Sequence, residues 1–528
     1  MMKTKTRQFL LLALLGLVLM SLPWLVPHMG WTVLVGLVPL LCMDRLASEG
    51  EMRHFWWCHY AFFVIWNAVT TWWVWNATPG GAVFAILANA LQMSLVWGSF
   101  RFVKRRLGGV LPYIFLAAAW IAWEKYYLSI AEISWPWLVL GNAFGQSTSL
   151  VQWYSVTGSL GGSLWVWACN LAVFGLMVAL SDGRFSSWNL KARSAAVAAA
   201  VLVFVGPVIW SFCLKAPVAE ESLDVVIAQP NLDPYQKFNS LTQEQQDRIL
   251  LSEFDQATWD STAYVLAVAP ETFTGRFMLD HYESNPTFLR FQDWLREHPN
   301  ATLLFGASTY TLSARPSRLA YEYGDAYIFS HNSAMVTDTS GRCEFYHKSK
   351  LVPAVELTPY PAVIQPIENL FGGNLMGRCV GQEQPSLLTM HAGERDIRIG
   401  CAVCYESVYG DWCAGYVRKG AEMLAVITND AWWGNTPGYK QHLSYSRLRA
   451  IETRRYIARC ANTGISAIID SEGHILDRSG WWVRAHMNGR VGLIQQESFF
   501  VRYGDICGRA SVFLFVLLLL AALVRRRK

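Results

Sequence analysis

Two cysteines stand three residues apart in "DIRIGCAVCYESVYGDW", Cys401 and Cys404. A C-x-x-C pair can be a redox couple, half of a metal site, or one nucleophile beside a bystander. A zinc site needs a second pair of ligands at matching spacing, and the eleven histidines are scattered with no H-x-x-x-H among them. Thioredoxin-type chemistry needs the pair at a helix N-terminus, where the dipole favours the thiolate. In "IRIGCAVC" the period of two instead puts Ile397, Ile399 and Cys401 on one face of a strand, with Cys401 as buried filling. Cys404 falls where that strand stops, ahead of the acidic and aromatic "YESVYGDW". Strand ends are where α/β folds present reactive side chains. A thiol there that attacks a carbonyl needs a base, and it needs a cation or amide donors for the oxyanion.

Two other strand ends supply such groups. "YVLAVAPETF" is an apolar strand delivering Glu271 at its terminus, and "CEFYHKSKLVP" carries Lys348 and Lys350 just before "LVP". Alone, Glu271 reads equally well as a surface or capping acid, and either lysine as a solvated turn residue. The combination of carboxylate, ammonium and thiol, each at a strand end, points to nucleophilic acyl chemistry.

The elements that must hold these residues divide by composition. Of 528 residues 53% are hydrophobic, 25 are Trp, and the mean hydropathy is +0.22, too apolar for a soluble enzyme of this length. Apolar runs of bilayer-spanning length lie at about 9–26, 31–48, 56–75, 82–100, 110–124, 163–181, 195–213 and 510–524. Almost 300 residues of ordinary globular composition separate the last two. The expected division is a membrane domain of seven helices at 1–214, one inserted domain at 215–507, and a final helix with a basic tail at 508–528. No internal repeat or low-complexity tract is present.

Lys and Arg favour cytoplasmic loops. The N-terminus (Lys3, Lys5, Arg7), the second loop (Arg45, Arg53), "RFVKRR", the sixth loop (Arg184, Lys191, Arg193) and the tail "RRRK" are basic, while "VPHMG" and "NATPGG" carry no Lys or Arg. This alternation sets the inserted domain outside the cytoplasm. The first run also fits signal-peptide grammar, but no A-x-A-like cleavage site follows it. The net charge of +5 is largely accounted for by these loops and is no nucleic-acid footprint. An extracytoplasmic domain permits disulfides. Seven cysteines lie in or near it, an odd number, and Cys401 could pair with Cys379 or Cys413.

Glu in "PET", Lys in "YHKSKLVP" and Cys in "CYE", in that order, resemble the Glu-Lys-Cys triad of the nitrilase superfamily. Joined to eight apolar helices, and with "ITNDAWWG" and "HLSYSRLRAIETRRYIARCANTGISAIID", the chain resembles the bacterial apolipoprotein N-acyltransferases. That resemblance implies a polytopic helical bundle of about eight spans plus an α-β-β-α sandwich. It selects Lys348 over Lys350, assigns Glu271, Lys348 and Cys404 as catalytic, and gives Glu356, Tyr405 and Glu406 supporting positions. It also implies a phospholipid donor, a diacylglyceryl-modified apolipoprotein acceptor, a thioester intermediate, no metal and no organic cofactor. The implied location is the bacterial inner membrane, with the catalytic domain periplasmic, both termini cytoplasmic and the protein a monomer. The family commonly has "LVPFGE" where this chain has "LVPAVE", so Ala354 and Val355 replace an aromatic and a glycine beside Glu356.

Most of the Trp residues, as in "FWWCHY" and "TWWVW", suit interfacial belts. Trp432 and Trp433, after a strand and before a Gly, are expected to line the acyl-chain entry; packing under a loop is the simpler alternative. Two rival functions remain: a tethered amidase that passes its acyl group to water, and an envelope protein that only binds.

Overall fold

Every apolar run becomes helical, because a backbone in lipid must satisfy its hydrogen bonds within itself. The computed structural model describes residues 2–50, 54–234, 237, 240–260, 262–370 and 376–525. Arg53, Arg526, Arg527 and Lys528 lie outside the described residues, as do the side chains of Lys3 and Lys5. The chain forms two units: Met1–Ala131, Trp135–Lys215 and Tyr503–Lys528 make the first, and Glu132–Ser134 with Ala216–Arg502 the second.

In the first unit, six segments among the described residues are long and apolar enough to cross a membrane: Arg7–Leu25, Gly30–Glu49, Pro79–Lys104, Ser159–Ser181, Leu190–Cys213 and Ile506–Val524. Eight were expected; the other two runs are helical but fall short of that length or composition. Phe55–Thr71 is a helix of 17 residues, and Leu111–Ser129 carries Glu124 and Lys125 among its aromatics. Gly30–Glu49 is broken ahead of Pro39, which freezes φ and has no N–H. Asn170 closes the break, accepting from the backbone of Leu37 and Val38 at 2.8 and 3.0 Å and donating to the Val33 carbonyl at 2.8 Å.

The second unit is built on two sheets. One comprises β1 (Glu221–Gln229), β2 (Val265–Val268), β3 (Thr274–Met278), β4 (Ala301–Ser313), β5 (Tyr321–Tyr323), β6 (Ala326–Thr337), β7 (Cys343–His347) and β14 (Ala485–Leu493). The other comprises β8 (Leu388–Ala392), β9 (Arg395–Val403), β10 (Met423–Thr428), β11 (Ile457–Ala461), β12 (Ala467–Ile469) and β13 (Ile475–Arg478). Among the described residues the first runs β14-β1-β2-β4-β6-β5, with β3 on β4 and β7 on β6, and the second runs β13-β12-β11-β10-β9-β8. The central strands β1-β2-β4 and β9-β10-β11 are parallel. Covered on both faces, they read as near-continuous apolar runs such as "MLAVIT".

Alternation along β1 explains the layering. Leu223, Val225 and Ile227 join Ile397, Ile399 and Cys401 in a core between the sheets, while Val226 and Ala228 join Phe254, Phe291 and Trp294 of the helices Gln243–Gln256 and Pro286–Glu297. Tyr416, Leu443 and Ala450, from helices Gly410–Arg418 and Pro437–Thr453, cover the far side of the second sheet. The result is the α-β-β-α sandwich expected of the nitrilase superfamily.

Candidate active site

Glu271 follows β2 on a turn laid against β4. Gly306 makes this approach possible, since a Cβ there would lie 2.6 Å from Glu271 Cα and from the Thr272 nitrogen. The Gly306 N–H donates to the Pro270 carbonyl and the Phe273 N–H to the Gly306 carbonyl, so pairing resumes past the bulged-out Glu271. Lys237 reinforces the turn by donating from Nζ to the Thr272 carbonyl. Burial draws the Lys237 ammonium down to about 8, against the opposing pull of Glu271.

Lys348 leaves β7 with its backbone still paired, donating to the Asn332 carbonyl of β6 at 2.7 Å. Its ammonium, 1% exposed, lies 3.0 Å from both Glu271 Oε1 and Glu356 Oε1. Asn332 Nδ2 bridges the same oxygens at 2.9 and 2.7 Å, and the Asn429 backbone N–H donates to Glu271 Oε2 at 3.1 Å. Burial works to lower the Lys348 ammonium, but Glu271, Glu356 and Cys404 outweigh it and hold it well above the ordinary lysine value. Lys350, the rejected alternative, instead lies over the rings of Tyr409 and Trp412.

Glu356 reaches Lys348 despite the missing glycine. The left-handed position is taken by Ala354, at φ 67°, not by Val355. The turn is closed by the Glu356 N–H donating to the Val352 carbonyl at 2.9 Å and by Glu356 Oε2 accepting from the Val352 N–H at 2.8 Å. Alanine in this conformation costs about 1–2 kcal/mol, which the two bonds offset.

Cys404 directly follows β9 and opens a 3-10 turn, Cys404–Val408, with φ 52°. A non-glycine residue in this region at a strand-to-turn junction stores backbone strain where a side chain must project. The residue as a whole is half-buried. Burial pushes its thiol well above the usual range; Glu271 and Asp430 push the same way, and Lys348 and the Thr428 hydroxyl oppose them. Cys401 is fully buried, and all eleven cysteines are unpaired in disulfide terms, so neither pairing with Cys379 nor with Cys413 forms.

Glu406 ties the two sheets together at the site. It accepts from Tyr346 Oη at 2.5 Å and from the backbones of Ser349, Lys350 and Val403 at 2.7, 3.1 and 2.9 Å. Burial keeps its carboxyl above the usual range even so. Tyr405 takes no part in that cluster: its hydroxyl donates to the Ser134 carbonyl at 3.0 Å and its ring packs on Tyr409. Trp432 and Trp433 share the short turn Asp430–Trp433, which Gly434 ends at φ 64°. Trp433 packs edge-on to His442, 5.5 Å between centroids, while Trp432 is 38% exposed.

Asn332, Lys237, Asp430, His442 and Arg459 belong to the site yet carried no individual signal. Asp430 and His442 do fall within "NDAWWG" and "HLSYS", whereas Asn332 sits mid-strand in the polar run "SHNS" of β6, with nothing local to single it out.

A two-sheet sandwich in which carboxylate, ammonium and thiol meet at strand ends defines a nitrilase-superfamily domain, here on a chain with apolar helices of membrane-crossing length. Residues 240–490 match the carbon-nitrogen hydrolase family and residues 15–172 the apolipoprotein N-acyltransferase N-terminal domain. The chain is 28% identical over 539 aligned positions to an apolipoprotein N-acyltransferase of Chlorobaculum tepidum, with 99% of this chain and 98% of that one covered. It is 28% identical over 422 positions to one of Geobacter metallireducens, covering 80% and 75%. Among solved structures it is similar to Saccharomyces cerevisiae Nit3, of branch 10 of the nitrilase superfamily, at 16% identity and TM-score 0.37, covering 53% of this chain and 93% of that one. The chain belongs to the apolipoprotein N-acyltransferase family.

Proposed function

We propose that the protein transfers an acyl chain from a membrane phospholipid to the α-amine of a diacylglyceryl-modified apolipoprotein, through a thioester on Cys404. The observation that carries this reading is the buried Glu271–Lys348–Glu356 cluster beside a strained cysteine at a strand end.

Because the thiol is held well above its usual range, it is protonated at neutral pH and needs a base as it attacks. Glu271 takes the proton while Sγ bonds to the ester carbonyl carbon of the donor. The C–O bond to the glycerol then breaks, and Glu271 returns the proton to the departing lysophospholipid hydroxyl. In the second half the amine attacks the thioester carbonyl, Glu271 accepts the amine proton, the C–S bond breaks, and the sulfur recovers a proton. Lys348, kept charged by its two carboxylates, stabilises the oxyanion of both tetrahedral intermediates, worth about 3–4 kcal/mol for one well-placed donor. Glu356 and Glu406 hold Lys348 and its loop in register. Both substrates are lipid-anchored, and a membrane-tethered domain brings the thiol to the interface where their acyl chains reside.

Trp432 and Trp433 line the acyl-chain entry in this reading, supported by the contact of Trp433 with His442. Replacing either with Ala lowers phospholipid use and leaves the protein folded; undiminished acylation excludes that role. The acyl transfer itself is tested by peptide mass spectrometry of the detergent-purified protein after incubation with phospholipid alone. A hydroxylamine-labile fatty-acyl mass on the Cys404 peptide, absent in Cys404→Ala and discharged by a diacylated lipopeptide, supports it. Discharge to water with no lipopeptide product identifies an amidase-type hydrolase instead.

A further inference from the structure

The first unit contains an apolar groove that the acyl-transfer scheme does not use. It lies between the helices Ser159–Ser181 and Leu190–Cys213, both long and apolar enough to cross a membrane, and has a volume of about 370 Å³. Leu164, Trp165 and Ala168 line it from the first helix and Val203, Pro207 and Trp210 from the second, each set at helical spacing.

Pro207 accounts for the form of the second wall. Proline has no N–H, so the Val203 carbonyl one turn earlier loses its helical partner. The Trp165 indole N–H donates to that carbonyl instead, at 2.8 Å, and the Cys169 thiol lies 3.8 Å from it. Two further contacts fix the C-terminal end of the helix. Ser211 Oγ accepts from the Gln152 N–H and donates to the Ser149 carbonyl, both at 2.7 Å, and the Trp210 ring lies parallel to that of Trp153, 6.1 Å between centroids. Among the described residues of Leu190–Cys213 only Ser211 is buried, so the helix is pinned at a few points and the space between them is not filled by its own side chains.

The lining decides what can occupy that space. Trp153 Nε1 donates to the Leu150 carbonyl at 3.1 Å, Thr157 Oγ1 to the Gly158 carbonyl at 3.0 Å and Trp165 Nε1 to Val203, so these polar atoms are turned away from the groove. Buried water needs several polar partners, which such walls do not offer. An empty volume of this size forfeits dispersion contacts on both sides. Leu164, Leu202 and Trp210 form an open rim, 44%, 68% and 41% exposed, and between membrane-crossing helices that rim meets hydrocarbon.

We propose that the groove holds one acyl chain of a resident phospholipid, which completes the packing of Leu190–Cys213 and exchanges more slowly than the lipid on the other exposed faces. Phospholipid is the occupant because its chains surround both helices, because the space suits a single long chain and not a helix, and because the lining carries no charged group to hold a peptide or a headgroup.

Photolabelling tests this. The full-length protein is reconstituted in phosphatidylglycerol vesicles containing a phosphatidylcholine with a diazirine near the end of one acyl chain, irradiated, and mapped by peptide mass spectrometry. Leu164–Ala168 and Leu202–Trp210 should take up label severalfold above the comparably exposed face of Val83, Leu87 and Leu91 on Pro79–Lys104, and the excess should survive a chase with unlabelled vesicles before irradiation. Ala168→Phe fills the groove and should bring both segments down to the level of that face, with thermal melting as the folding control. Uniform labelling, or an excess lost in the chase, identifies ordinary boundary lipid and overturns the proposal. An unchanged excess in folded Ala168→Phe overturns it as well. If that variant does not fold, Leu202→Trp on the exposed rim takes its place. Suppression of the excess by a diacylated lipopeptide assigns the groove to the acceptor's chains and also overturns it. Acylation of Cys404 labels a different peptide, so the proposed acyl transfer and this inference can fail separately.

Discussion

Lys348 carries opposed demands: it must stay charged while almost fully removed from water. Its two carboxylates meet that demand, and removing the lysine leaves both without their cation. Lys348→Met is expected to lose about 3–5 kcal/mol of stability in thermal or denaturant unfolding. Its acyl-enzyme formation should fall by about 10²–10³-fold in a quenched time course. The pH dependence has a definite sign. A group whose folded value is raised stabilises fully below its unfolded value and stops doing so as the pH climbs through the folded one. Lys348 and Cys404 are both raised, so their contributions are complete below about pH 10.4 and about pH 8.5 respectively and disappear only on the alkaline side. Melting temperatures taken from neutral to alkaline pH should decline, and Cys404→Ala should make that decline shallower without abolishing it, because the buried thiols of Cys401, Cys413 and Cys460 are raised in the same direction.

At the level of elements, two turns set the geometry by close backbone approach. Gly306→Ala would drive a methyl group into the backbone of Glu271 and Thr272. The turn must shift by a substantial part of an ångström, enough to cost about 10²-fold in acylation rate. Gly306→Ala is expected to bind lipopeptide normally while acyl-enzyme formation slows, and an unaffected rate would show that the Glu271 turn is not rigidly supported. The "LVPAVE" turn makes the opposite prediction. Ala354→Gly removes the left-handed penalty of about 1–2 kcal/mol at an entropic cost of about 0.5–1, so it should stabilise the protein by up to about 1 kcal/mol, read as a higher melting temperature. Unchanged activity in that variant would show that Glu356 is already where it is needed.

For the whole molecule, the basic loops carry a proposal about orientation. If the loops bearing Arg45, Arg101 and Arg184 are cytoplasmic, as the preference of Lys and Arg for that side implies, we propose a periplasmic second unit and a cytoplasmic C-terminus. Alkaline phosphatase inserted near the exposed Arg315–Ser317 segment should be active, and a fluorescent protein fused after Lys528 should fluoresce. The reverse pattern would move the thiol to the cytoplasmic side and remove the proposed acceptor from reach. The two helices below the spanning criterion do not alter this parity if they still cross as part of the bundle, their polar or short segments being covered by neighbours; Glu124 is fully buried and accepts from the Leu140 N–H.

The sequence alone determined the local periods and what they present. Apolar runs marked the helices, alternation placed Cys401 inward, and the breaks after "YVLAVA", "CEFYH" and "IRIGCAV" put Glu271, Lys348 and Cys404 at strand ends. Partner choice across the sheets was decided only by the tertiary structure. Asn332 is 61 residues from Glu271 and joins it because β6 pairs with β4 in one register. His442 faces the Cys404 carbonyl because a helix packs over the second sheet. The left-handed residue in "LVPAVE" is Ala354 because the turn closes on Val352. Periodicity records which face of an element is apolar. Register, crossover and the satisfaction of buried polar groups depend on residues far apart in the chain, and those are settled when the sheets pack.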